Sequence, residues 1–135
     1  MKRKNLAKLE DERVQVSAKV ERFGVVNDHN GKVASMLLSD ILVSNGQISE
    51  KVDHMWIRIN KLEFEGCLNI TDKSYISFSA LIKTYFLAPD FKKVQGYCFR
   101  KVKNIKSKAT NVDGITLKEF ISFKEEQGVK VRKYA

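Results

Sequence analysis

Residues 53–60 carry an unusual mixture of polar and aromatic side chains. Successive side chains of a β-strand point to opposite faces, so a strand here would present every second residue on one face. That face would hold an imidazole, an indole and a guanidinium, from His54, Trp56 and Arg58. A tryptophan beside an arginine on an open sheet surface can stack on unpaired nucleobases while the cation holds the phosphates. The alternative is that a loop or terminal helix covers Trp56 and that Arg58 is merely solvated.

A second group of candidate binding residues lies between positions 92 and 108. This stretch has no acidic residue and contains seven cations: Lys92, Lys93, Arg100, Lys101, Lys103, Lys106 and Lys108. Tyr97 and Phe99 are interleaved with them. Cations with interspersed aromatic rings predict an electrostatic track with stacking platforms for a single nucleic-acid strand. Lysine also deters pairing between exposed sheet edges, and that structural role is the alternative.

Catalytic and metal-binding patterns are not found in the sequence. It has no phosphate-cradling loop, no nucleophile elbow, no metalloprotease helix and no dinucleotide fingerprint. Neither His29 nor His54 has a cysteine or an acidic cluster at zinc-ligand spacing. Asp53 and His54 would point to opposite faces of a strand, which does not suit a base and its orienting carboxylate. We therefore expect a non-enzymatic protein with no metal site and no cofactor.

The charge of the chain indicates its class of partner. Lysine and arginine number 25 against 16 acidic residues, a formal net charge of +9, and such an excess attracts polyanions. No run approaches the roughly 18 apolar residues that cross a bilayer, and the N-terminus is charged rather than signal-like. We expect a cytoplasmic protein whose partner is nucleic acid and not a membrane. Cys67 and Cys98 are far apart and are expected to be two buried thiols rather than a disulfide or metal pair.

Five β-strands are predicted to position these residues, because apolar and polar residues alternate with a period of two in five segments. The segments are residues 14–23, 33–43, 53–60, 75–85 and 96–106. Gly24 predicts a bend or bulge at the end of the first strand, and Asn30-Gly31 predicts a hairpin turn. The alternation slips between Phe99 and Val102, which predicts a bulge in the fifth strand.

A helix is predicted near the C-terminus. Thr116 is a favourable N-cap with Glu119 three residues later, which together form a capping box, and Gly128 suits the end of the helix. Phe120 and Phe123 cannot both join the narrow apolar stripe of this helix. We expect one of them to be exposed and to be available to a partner protein.

Five short strands followed by a helix predict a mainly β fold, and closure into a small barrel would hide the strand edges. The pattern resembles the OB-fold, and in particular small OB-type single-stranded nucleic-acid-binding and replication accessory proteins of bacterial phages and mobile genetic elements. The resemblance is carried by residues 14–23, 36–40, 53–57, 76–85 and 97–105. An SH3-like barrel is compatible with the same number of strands.

The resemblance implies a five-stranded OB-like β-barrel at residues 13–108 with an added C-terminal α-helix. Residues 1–12 would be a basic N-terminal extension, and residues 109–135 the helix and a basic tail. It also implies sequence-tolerant binding of single-stranded DNA, or of RNA, across the second and third strands in support of DNA replication. Trp56, with Tyr97 or Phe99, would then stack on bases. The alternative function is a protein-interaction subunit that docks on a polymerase, primase or helicase and has little DNA affinity of its own.

Overall fold

Five antiparallel strands in one sheet form the framework of this protein. The computed structural model describes residues 4–28, 31–59, 63–85 and 96–132. After a 3₁₀ helix at Lys4–Leu9, its elements are β1 (Arg13–Asp28), β2 (Gly31–Ser44), β3 (Ser49–Arg58), α1 (Phe64–Cys67), β4 (Tyr75–Tyr85), β5 (Gly96–Ala109) and α2 (Leu117–Glu126). The strand order is β3-β2-β1-β4-β5. The predicted class, mainly β with a C-terminal helix, is confirmed.

The predicted alternation sets which side chains form the core. In β1 and β4 every second residue is at most 2% exposed: Val14, Val16, Ala18, Val20, Ile76, Phe78, Ala80 and Ile82. Leu6 and Leu9 of the 3₁₀ helix and Leu117 of α2 are fully buried in the same cluster. Each such large apolar side chain contributes roughly 1.5–3 kcal/mol on burial, so these contacts hold the helices to the sheet.

The sheet has two edges, because no ladder joins β3 to β5 within the described part of the chain. The expected closure into a barrel is therefore not observed. The third strand starts at Ser49, earlier than the predicted Asp53, because the turn at Asn45-Gly46 leads straight into pairing between Ser44 and Ser49. Asn60, predicted as its end, lies outside the described residues.

Irregular pairing occurs where the alternation slips. In β5, Leu81 pairs with Arg100 and Ser79 pairs with Lys103, so one extra residue is accommodated between them. Lys101, at this irregular position, has φ 50°, in the left-handed region. The predicted slip between Phe99 and Val102 is confirmed.

The bulge predicted at Gly24 is not where the irregularity lies. Gly24 pairs regularly with Ser35, and the register shifts of β1 fall earlier, between Ser17 and Lys19 and between Val20 and Arg22. Gly24 instead lies beneath the indole ring of Trp56 on β3, where the absence of a Cβ leaves room for that ring.

Helix α2 begins as its sequence predicts. The Thr116 hydroxyl accepts a hydrogen bond from the Glu119 amide at 3.1 Å, and the Glu119 carboxylate accepts one from the Thr116 amide at 3.1 Å. Phe120 packs on Phe23 of β1 with ring centroids 5.8 Å apart. Gly128, with φ 82°, follows the helix. No helix in the described residues is both long enough and apolar enough to cross a membrane.

Candidate nucleic-acid interface

Strand β3 presents the predicted row of side chains to solvent. His54, Trp56 and Arg58 are exposed, whereas Met55 and Ile57 between them are 2% and 4% exposed. Trp56 is 40% exposed, so none of the described residues seals its side chain from solvent. The alternation expected for residues 53–60 is therefore confirmed for the described positions of this segment.

The indole of Trp56 rests on Gly24, two strands away. In the sheet Gly24 pairs with Ser35 of β2, which in turn pairs with Arg58, so the ring crosses β2 diagonally. A Cβ atom at residue 24 would lie 2.5 Å from Cη2 and 2.7 Å from Cζ3 of the indole. Carbon atoms in favourable contact are about 3.5–4.0 Å apart, so only glycine leaves room for the ring here.

Arg22 is a further member of this surface that the sequence analysis did not identify. Its guanidinium carbon lies over the indole of Trp56, 5.3 Å from the ring centroid. Arg22 is exposed and has no ion-pair partner among the described residues. The pattern Arg22-Phe23-Gly24, with Phe23 buried, was the available signal, because it puts a cation and a glycine on the same outer face.

A groove of about 490 Å³ lies between the edge strands β3 and β5. Its lining consists of Val26, Ser35, Trp56, Ile57, Arg58 and residues 98–102. Among these described lining residues none is acidic and three are cations: Arg58, Arg100 and Lys101. These three have no ion-pair partner within the described chain, so their charge is available to a ligand. The groove thus joins the two separate segments that the sequence marked as candidate binding residues.

Phe99 forms part of the apolar floor of this groove and is not a stacking platform. It is 8% exposed and makes an edge-on contact with Phe78, with centroids 5.5 Å apart and an interplanar angle of 79°. Phe99 pairs directly with Ile82, a core residue, and directly paired side chains project to the same face of a sheet. The prediction of an open ring at Phe99 is therefore wrong. Tyr97 is half-buried and packs against the core.

Arg13 holds the bulge that gives the groove its cationic rim. Its Nη1 atom donates hydrogen bonds to the carbonyl of Lys101 at 2.9 Å and to the Ser79 hydroxyl at 3.3 Å. Because the bulge adds a residue at Lys101, both Arg100 and Lys101 are exposed although they are consecutive. Arg13 is therefore a positioning residue of the rim, since it fixes the backbone that carries the two cations.

Three of the remaining predicted cations are described, and none of the three lines the groove. Lys103 is exposed on β5 beyond the groove lining, on a stretch that also carries Lys106 and Lys108. Lys92 and Lys93 lie outside the described residues. Of the described part of the stretch predicted as a binding track, residues 96–108, the groove lining includes the cations Arg100 and Lys101.

A second groove, of about 480 Å³, carries more carboxylates than cations. Its described lining includes Glu21, Asp40 and Asp53 together with Lys51 and His54. Glu21 accepts hydrogen bonds from the Ser39 hydroxyl at 2.6 Å and from Lys73 Nζ at 2.9 Å. These bonds lower the pKa of Glu21 to about 2, so it stays ionised at neutral pH. His54 is exposed as predicted, but it lies with these carboxylates and apart from the cationic groove.

The two candidate residues for protein interaction differ in exposure, as the narrow apolar stripe of α2 predicts. Phe120 is half-buried between Phe23 and the Nζ atom of Lys124, which lies 5.7 Å from the Phe120 ring centroid. Phe123 is 53% exposed. Of the pair, Phe123 is the side chain that a partner protein could contact.

The two cysteines differ in burial. Cys67 of α1 is buried, and its burial raises the pKa of the thiol to about 12. Cys98, at the groove, is half-buried rather than buried as predicted.

Comparisons of this chain with protein families, with curated proteins and with solved structures found no match. What the groove can do follows from its own side chains. An open indole, three cations and an apolar floor are suited to reversible binding of a flexible polyanion that carries flat rings.

Proposed function

We propose that this protein is a non-enzymatic, sequence-tolerant single-stranded DNA-binding protein that acts as a replication accessory of a phage or mobile genetic element. The observation that carries this proposal is the groove between β3 and β5. It places the single tryptophan of the chain beside Arg58, Arg100 and Lys101, with no acidic residue among the described residues of the lining. The role in replication rests on the resemblance of the sequence alone.

An unpaired strand fits this groove better than a duplex does. Stacking on Trp56 requires the face of a base, and bases in a duplex are stacked on one another. Cations on both edges of the groove can neutralise phosphates on either side of such a base. The carboxylates of the second groove repel phosphates, so the strand would run from Trp56 toward β5 and away from Asp40 and Asp53.

We also propose that the sheet is an OB-like barrel left open at one seam. The order β3-β2-β1-β4-β5 is the order obtained when an OB barrel is opened between its third and fifth strands. The single-turn helix α1 lies between β3 and β4, where OB-folds carry their helix. OB barrels are partly open and bind oligonucleotides on the second and third strands, which supports the same surface as the binding face.

The test is the binding of a fluorescently labelled oligo-dT, followed by anisotropy at several salt concentrations. Stacking contributes about 1–3 kcal/mol per base, so Trp56→Ala should weaken binding by roughly 5- to 150-fold. Tyr75→Ala is the matched control, because Tyr75 is an aromatic residue of similar exposure, 46%, and lies outside the groove lining. Replacing Arg100 or Lys101 by glutamine should reduce the slope of log affinity against log salt by close to one unit. Absence of binding by the unmodified protein at low salt would refute the proposal.

The exposed ring of Phe123 supports a second candidate function, docking on a polymerase, primase or helicase as an accessory subunit. On this proposal Phe123→Ala would abolish co-purification with the replication enzyme and leave binding of oligo-dT unchanged. Retention of the complex by Phe123→Ala would count against docking through α2.

A further inference from the structure

The outer face of the sheet carries a cation–aromatic pair that spans three strands. Arg22 of β1 and Trp56 of β3 both pair with Leu37 of β2, so the two side chains project from one face on either side of it. Gly24 supports the far edge of the indole, and the guanidinium of Arg22 lies over the ring. Neither the ring nor the cation is engaged in the core.

The guanidinium of Arg22 lies too close to the indole of Trp56 for a flat ring to fit between the two groups. Planar groups in contact are about 3.5–4.0 Å apart, so two planes with a flat ring between them are roughly 7–8 Å apart. The guanidinium carbon of Arg22 lies 5.3 Å from the indole centroid. Because the guanidinium cannot be farther above the ring plane than this distance, opening the slot requires the arginine to move by at least about 2 Å. Exposed side chains change rotamer within nanoseconds, and Arg22 has no ion pair within the described chain to hold it back.

We propose that Arg22 and Trp56 form a two-sided clamp for one unpaired nucleobase, with the indole on one face of the base and the guanidinium on the other. This inference rests on the proposed function and identifies the part of the nucleic acid that the site recognises. A guanidinium is planar, weakly hydrated and stacks on aromatic faces, whereas the ammonium of lysine is a compact and strongly hydrated charge. The clamp accordingly depends on the shape of Arg22 and not only on its charge.

Two other roles for Arg22 make opposite predictions. If Arg22 simply contacted a phosphate, lysine would serve equally well and the presence of a base would not matter. If Arg22 instead shielded the indole from ligands, its loss would expose more of the ring and tighten binding.

The test compares Arg22→Lys with the unmodified protein on two labelled probes of equal length, oligo-dT and an abasic oligonucleotide with the same backbone. The clamp predicts that Arg22→Lys loses about three- to tenfold in affinity for oligo-dT, the range of a cation–π contact in a partly desolvated site. It predicts no loss for the abasic probe and an unchanged salt slope, because the charge is kept. Arg58→Lys is the matched comparison and should change the affinity for both probes by one common factor.

Each other result is decisive. Unchanged binding of both probes by Arg22→Lys assigns Arg22 to a phosphate and overturns the clamp, as does an equal loss on both probes or tighter binding of oligo-dT. In those cases the proposed function stands, because the unmodified protein binds. Failure of the unmodified protein to bind either probe removes the proposed function and the clamp together. Emission from the single tryptophan, recorded in the same titration, reports whether the base reaches Trp56.

Discussion

Replacing Gly24 by alanine should displace Trp56 from the sheet without removing any group that contacts a ligand. The added Cβ would lie 2.5 Å and 2.7 Å from two carbons of the indole, against a favourable separation of about 3.5–4.0 Å. Gly24 is held by its pairing with Ser35, whereas the indole is at the surface, so the ring is the part that moves. We expect it to shift outward by about 1 Å or more.

The stability of the protein should change little, because two effects oppose each other. Alanine in a strand is favoured over glycine by roughly 0.5–1 kcal/mol. Loss of the contact between ring and backbone, with individual atom pairs worth about 0.1–0.2 kcal/mol, removes a similar amount. Binding, in contrast, depends on where the ring lies. Loss of about 1 kcal/mol of stacking would reduce the affinity for oligo-dT roughly fivefold.

Fluorescence of the single tryptophan measures this displacement directly. Gly24→Ala should shift the emission to longer wavelength and increase quenching by acrylamide, and anisotropy titration should show the loss of affinity. Gly66→Ala is the matched control, because a Cβ at that position meets nothing within 4 Å. Unchanged emission and quenching in Gly24→Ala would show that the ring does not rest on Gly24. Increased quenching with full affinity would show that the seating of the ring is not needed for binding.

Three further predictions concern the framework of the protein. Gly114→Ala should lower the free energy of unfolding, measured in urea, by about 2 kcal/mol, since its Cβ would lie 2.5 Å from Oδ1 and 2.7 Å from the carbonyl oxygen of Asp72. Gly66→Ala should not lower it, because a Cβ there meets nothing within 4 Å and alanine is favoured over glycine in a helix. Glu21 has its pKa lowered from 4.5 to about 2, so its ionised form stabilises the fold above pH 4.5 and this contribution is lost as the pH falls toward 2. Thermal unfolding of Glu21→Gln should therefore show a weaker dependence on pH in that window, and an unchanged dependence would contradict the assignment. Cys67, whose burial raises the pKa of its thiol to about 12, should resist alkylation at neutral pH until denaturant is added, and rapid labelling of Cys67 in native Cys98→Ala protein would contradict its burial.

Those features of the fold that depend on local pattern could be predicted from the sequence. The exposed row of β3 follows from an alternation with a period of two, and the start of α2 follows from Thr116 and Glu119, which interact within one turn of helix. The slip in β5 is visible as two inward residues, Phe99 and Val102, three positions apart. Each of these features involves residues that are neighbours along the chain.

The features that were missed depend on register between strands distant in sequence. Phe99 faces the core because it pairs with Ile82 and because the bulge falls after it, at Lys101. The role of Gly24 requires knowing that the indole of Trp56 crosses β2, and pairing across three strands decides that. The open seam between β3 and β5 is likewise a property of the whole sheet, which no segment of the sequence encodes by itself.

The charge pattern of the outer face depends on the backbone as much as on composition. Lys101 and Asn104 have φ values of 50° and 59°, and each marks a position where β5 takes an extra residue. In a regular strand the side chains of Arg100 and Lys101 would point to opposite faces, and one cation would be directed into the core. The bulge removes this conflict, because both become exposed while the apolar residues on either side stay inward. Since Arg13 hydrogen-bonds the bulged carbonyl, a residue outside the groove lining determines where two of the three groove cations lie.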